Sequence, residues 1–111
     1  MHPKNIAVLA RTAAEDKKAE NPILLDISKL TSIAHYFLIV HGNSTRQVVA
    51  IADHIIDTLK KKKAGIYHTE GLDEGRWVVV DAGSLIVHVF HKEIRDFYGI
   101  ERLWGEAKVV N

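Results

Sequence analysis

There is no cysteine among the 111 residues. A thiol nucleophile, a thiolate-ligated zinc or iron-sulfur centre and a disulfide are thereby excluded, because no other side chain supplies that sulfur chemistry. What remains suits a reducing, cytoplasmic setting. An excess of charge of one sign is missing as well: 15 Lys and Arg against 14 Asp and Glu leave a formal charge of +1. The broad cationic field that neutralises many phosphates at once is therefore absent, generic coating of nucleic acid is disfavoured, and no direct sequence-specific nucleic-acid partner is expected. Long hydrophobic runs are lacking too. Tyr36 to Val40 and Leu85 to Val87 fall far short of the roughly 20 apolar residues that a membrane helix needs, so no membrane partner is expected. Ile6 to Ala10, followed at once by Arg11, is too short for an export signal, and the mature chain is expected to begin near Met1.

What is present is globular in proportion. Hydrophobic residues make up 47% and charged residues 26%, enough apolar surface for one core, and residues 1–111 read as a single domain. From about Asn5 to Ala19, Ile6, Leu9, Ala10, Ala13 and Lys17 recur at helical spacing, and Asn21-Pro22 is expected to stop that helix. Ile23 to Ile27 reads as a short strand, and a polar connector, Ser28 to Ser32, follows it. Tyr36 to Val40, apolar on both alternating faces, reads as a central strand covered on both sides. His41-Gly42-Asn43 turns the chain, and Ser44 with Gln47 has capping-box spacing. Val48, Ile51, Ala52, Ile55, Ile56 and Leu59 then mark a second helix to about Lys62, with Gly65 as its expected stop. Ile66 to Thr69 reads as a strand, Glu70 to Arg76 as an exposed acidic loop, and Trp77 to Asp81 and Leu85 to Phe90 as a hairpin around Ala82-Gly83-Ser84. A last helical piece is expected from Lys92 to Tyr98. This order predicts an α/β class with a mixed sheet of about five strands flanked by helices.

Seven histidines invite a metal reading, but their spacing argues against one. His88 and His91 are an odd number of residues apart on a strand and point to opposite faces, while Gly42 turns the chain beside His41 and separates it from His35. No metal or cofactor is expected. His68 and Glu70 could form an acid/base couple or stand as solvated neighbours. Lys60 to Lys63 could touch phosphate, or match the negative end of a helix dipole. The turn Gly42 to Ser44 lies where an anion is welcome, yet a nucleotidyl-transfer enzyme would also need paired carboxylates to hold magnesium. Asp81 has Gly83 two residues on, and Asp26 is isolated, so catalysis of that kind is not expected. Arg76-Trp77, at a strand mouth behind the acidic loop, has the composition of a partner-binding anchor, with a core tryptophan as the alternative.

Asp26-Ile27-Ser28, the run His35 to Val48, Glu70-Gly71, Trp77 to Asp81, Ile86 to Phe90, Glu93 to Tyr98 and Glu101 to Trp104 together resemble the ribosomal silencing factor, or iojap-like, family over nearly the whole chain. His35 stands where that family usually has an acid. The resemblance implies a nucleotidyltransferase-like fold without catalytic carboxylates, and a non-enzymatic, often homodimeric protein. It further implies docking on the fourteenth protein of the large ribosomal subunit, which blocks joining of the small subunit when nutrients are scarce. Carried onto this chain, the expected partner-binding residues are Glu70, Asp73, Arg76, Trp77 and Tyr98, and no catalytic residue is assigned. The competing reading is a small nucleotidyltransferase or phosphohydrolase using Gly42 to Ser44 and Asp81.

Overall fold

The computed structural model describes residues 1–110. It opens with α1, Pro3–Asp16, whose first-turn proline gives up an N–H that no helix would use. Ile6, Ala7, Ala10, Ala13 and Ala14 form its buried stripe. The helix ends earlier than its periodicity predicts, and Pro22 is not its stop. Lys18 adopts φ 60°, and the Lys18 and Ala19 N–H groups return to the carbonyls of Glu15 and Ala14 at 2.9 and 3.0 Å, closing the end as a left-handed cap. Pro22 lies inside β1, Glu20–Asp26, where the register with the neighbouring strand is irregular between Glu20 and Ile23, a place where a missing donor is tolerated.

Strand β2, Tyr36–Gly42, is buried at every position, as a strand covered on both faces should be. After it comes α2, Thr45–Lys61, whose buried face is Val48, Ile51, Ala52, Ile55, Ile56 and Leu59. Its N-terminus uses the expected pair: Ser44 Oγ accepts the Gln47 N–H at 3.1 Å, while Gln47 Oε1 accepts the Asn43 N–H at 2.8 Å. At the other end Lys63, at φ 59°, takes the left-handed position expected of Gly65. The Lys63 and Ala64 N–H groups bond back to Lys60 and Leu59, so the turn is complete before Gly65 is reached.

The remaining elements are β3, His68–Glu70, β4, Trp77–Asp81, β5, Leu85–His91, α3, Lys92–Tyr98, α4, Ile100–Leu103, and β6, Lys108–Val110. Strand β3 begins two residues later than its sequence suggests, and β6 is a sixth strand where about five were expected. The sheet runs β3-β4-β5-β2-β1-β6, with β2 and β5 parallel and every other pair antiparallel. Among the described residues no helix is long and apolar enough to cross a membrane.

Strand alternation divides the core in two. One face, carrying Leu24, Tyr36, Leu38, Val40, Val78, Val80, Leu85, Val87 and Val89, is covered along its length by α1 and α2. The other carries Leu25, Phe37, Ile39 and Phe90 and is covered, among the described residues, by the short α3 and α4, by Ile27 and Ala34 between β1 and β2, and by Trp104 and Ala107. Eleven helical residues in those two pieces cannot roof six strands, so the β3–β4 margin of this face stays open.

Candidate functional site

The open margin begins with the hairpin register. Ala82 to Ser84 joins β4 to β5 with Gly83 at φ 79°, and this sets Asp81 opposite Ile86, Val79 opposite His88 and Trp77 opposite Phe90. All six side chains project to the partly covered face, where Trp77, Val79 and Ile86 are half-buried. The hairpin runs directly into α3, which crosses this face and places Tyr98 beside Trp77, their ring centroids 5.2 Å apart. On the far side of Tyr98 stands Phe97, at 5.0 Å and nearly perpendicular. Behind Trp77 lies Phe90, at 4.8 Å. Four aromatic rings thus run from the core to the surface, and the outermost, Phe97, is 77% exposed.

Trp77 is anchored by more than ring contact. Its Nε1–H donates to His88 Nδ1 at 3.1 Å. His88 is buried, and its pKa is lowered to about 4 because burial withholds the water its cation needs. Helix α3 is held down by a second buried polar group: the Arg95 guanidinium donates to Glu101 Oε1 at 3.1 Å and to His41 Nδ1 at 2.9 Å. Burial, and then the Arg95 charge, lower the pKa of His41. The ring is therefore neutral and can accept.

The five expected partner-binding residues do not form one cluster. Trp77 and Tyr98 are brought together. Glu70 pairs with Val79 across the β3–β4 ladder and so shares their face, and its Oε1 lies 2.6 Å from His68 Nε2 in an exposed pair rather than a shielded acid/base couple. Asp73 is exposed in the loop, but its neighbour Leu72 packs into the α1–α2 core, which leans the loop tip toward the opposite face. Arg76 is exposed at the sheet end, where it lines a hollow of about 230 Å³ with Thr45, His91 and Glu93. Gly71 makes the loop's close return possible: at φ 87°, a Cβ there would stand 2.1 Å from the Trp77 carbonyl oxygen. Phe97, Val79, Ile86 and His88 were not singled out from the sequence as partner-facing. The hairpin parity would have grouped Ile86 and His88 with Trp77, whereas the aim of Phe97 depends on how α3 crosses the sheet.

The groups needed by an enzymatic reading are engaged elsewhere. Asp81 Oδ1 accepts the Gly83 N–H at 2.8 Å. The Gly42 to Ser44 turn is filled from within the chain, its Asn43 N–H taken by Gln47 and its Asn43 amide bonded to the Glu20 carboxylate. Asp26 accepts both the hydroxyl and the backbone N–H of Ser28, which holds its pKa below the usual carboxylate value. Lys60 and Lys61 lie in the last turn of α2, where its dipole favours cations.

A family model described as "Ribosomal silencing factor during starvation" matches residues 1–111. The ribosomal silencing factor RsfS of Bacillus subtilis is 45% identical over 111 residues, covering 100% of this chain and 94% of that protein. RsfS of Halalkalibacterium halodurans is 42% identical over 110 residues, covering 99% and 94% of the two chains. Among solved structures, a crystal structure from Chromobacterium violaceum superposes with a TM-score of 0.93 at 44% identity, covering 95% of this chain and 88% of that one.

Proposed function

Because the chain belongs to the ribosomal silencing factor family, we propose that it represses translation by docking on the fourteenth protein of the large ribosomal subunit and sterically blocking the small subunit. The observation that supports this reading most is the open margin of the sheet, where the Trp77 and Tyr98 rings meet at 5.2 Å beside the exposed Phe97. Aromatic side chains that are half-buried in the free protein lose little conformational freedom on docking and bury a large area, which is how anchors work. Glu70 shares the face of Val79 at this margin, and Asp73 and Glu74 are exposed in the loop that follows it, acids that suit a basic ribosomal protein. In this reading the chain acts in the cytoplasm as one domain without catalysis, on a nucleotidyltransferase-like scaffold. The same margin serves a homodimer, which subunit docking displaces.

The engagement of Asp81 and of the Gly42 turn in the fold's own hydrogen bonds favours binding over phosphoryl chemistry. Sedimentation with separated ribosomal subunits tests the reading. The protein should travel with the large subunit only, and small subunits added afterwards should fail to join. Absence from the large-subunit fraction, or magnesium-dependent turnover of a nucleoside triphosphate that Asp81→Asn abolishes, would overturn it.

A further inference from the structure

We propose that His88 is a positioning residue of the docking face, holding the Trp77 indole at the angle in which a partner meets it. The inference rests on the docking reading for its purpose and on the geometry around Trp77 for its chemistry. An indole N–H can only donate. Its 3.1 Å contact with His88 Nδ1 therefore requires that nitrogen to be unprotonated and the ring's proton to sit on Nε2.

That arrangement carries a cost which shows what it is for. His88 is 9% exposed, and its Nε2 is buried with no hydrogen-bond partner among the described residues. On β5 it lies between Val79 of β4 and Ile39 of β2, with the Phe37 ring 5.0 Å away at 74°. Leucine would fill this apolar layer without stranding a donor. What leucine lacks is an acceptor, and an acceptor is what the Trp77 indole uses here.

The other neighbours of Trp77 cannot do the same work. Phe90 and Tyr98 touch it ring to ring, at 4.8 and 5.2 Å with interplanar angles of 31° and 45°. Such contacts stabilise without fixing direction, because tilted and offset arrangements differ little in energy. Among the described residues the hydrogen bond to His88 is the directional contact. Without it the indole N–H turns toward water, and Tyr98 and Phe97 lose the ring that backs them.

Two variants isolate the effect: His88→Leu removes the acceptor at similar volume, and His88→Asn puts an amide oxygen near the Nδ1 position. In a long-range nitrogen-proton NMR spectrum of the parent protein, His88 should carry its proton on Nε2. In His88→Leu the Trp77 indole N–H should exchange with solvent about ten-fold faster, and affinity for large subunits should fall about five- to ten-fold, the loss expected for one hydrogen bond. His88→Asn should restore both to within about two-fold of the parent, as a retained acceptor implies. Trp77→Ala separates this proposal from the docking reading. Parent-like affinity in Trp77→Ala takes Trp77 out of the docking face and overturns the role of His88 there, while the docking reading itself falls if the parent protein fails to sediment with large subunits. Weak binding by Trp77→Ala, with parent-like affinity and slow indole exchange in His88→Leu, overturns the role of His88 alone. If His88→Leu does not fold, a proton on Nδ1 in the parent, or fast indole exchange in His88→Asn, overturns it.

Discussion

Lowering the pH from 7 to 5 should destabilise the protein by about 2 kcal/mol through His88 alone. The sign follows from the side chain's two environments. In the unfolded chain the imidazole titrates at its ordinary value of 6.5, and in the fold burial lowers this to about 4. Between those values the unfolded state takes up a proton that the folded state refuses, so stability is greatest above the window and falls as pH drops through it. Below about 4 both states are protonated and the loss stops growing. At about 1.4 kcal/mol per pH unit, the interval from 6.5 to about 4 sets a ceiling of about 3 kcal/mol, of which roughly 2 kcal/mol is reached by pH 5. His41, also lowered by burial, adds a contribution of the same sign, while Asp26, lowered from 3.8, acts only below this window. The assay is urea unfolding at pH 7, 6 and 5 for the parent and for His88→Leu, in which His41 and Asp26 are unchanged. The variant begins from a different stability, but its pH slope should be shallower by about 2 kcal/mol over the range. Parallel slopes for the two proteins would refute the burial argument.

Trp77→Ala should weaken large-subunit binding by about 2 kcal/mol or more while costing less folding stability than the ~3 to 5 kcal/mol of a fully buried tryptophan, and paired sedimentation and denaturant midpoints measure both. Reversing Glu70, Asp73 and Glu74 to Lys should flatten the salt dependence of binding, each exposed pair contributing only ~0.2 to 1 kcal/mol, and unchanged salt dependence would remove these acids from the interface. Lys63→Gly should raise stability by about 0.5 kcal/mol, because glycine relieves a left-handed backbone at φ 59°, and a lowered denaturant midpoint would contradict that origin of strain.

The parts of the fold that were legible are those whose pattern is local. Val48 to Leu59 repeats at helical spacing over several turns, and Tyr36 to Val40 is apolar at every position, so α2 and β2 needed no tertiary information. The two helix ends were misread for one reason. Lys18 and Lys63 hold left-handed positions where glycine is the statistical choice, and nothing in a lysine announces this. Strand β6 was invisible because Lys108 to Val110 is too short to show a period and exists only through pairing with β1, which the chain left more than eighty residues earlier.

The site was half legible on the same grounds. The alternation Trp77, Val79, Asp81 identifies one face of β4, but which core that face meets is decided by the hairpin. With Ala82 to Ser84 as the loop, Trp77 falls opposite Phe90 and under Tyr98. The spacing of His88 and His91 along β5 bears on metal chelation but carries no sign of the partner that His88 has across the ladder, the Trp77 indole. The loop's length therefore decides which face the aromatic residues present. A shift of β4 by one residue would send Trp77 toward the α1–α2 core and bring Val78 to the open margin, since side chains alternate with a period of two. The indole would lose both its acceptor and its exposure, though the composition of the strand had not changed.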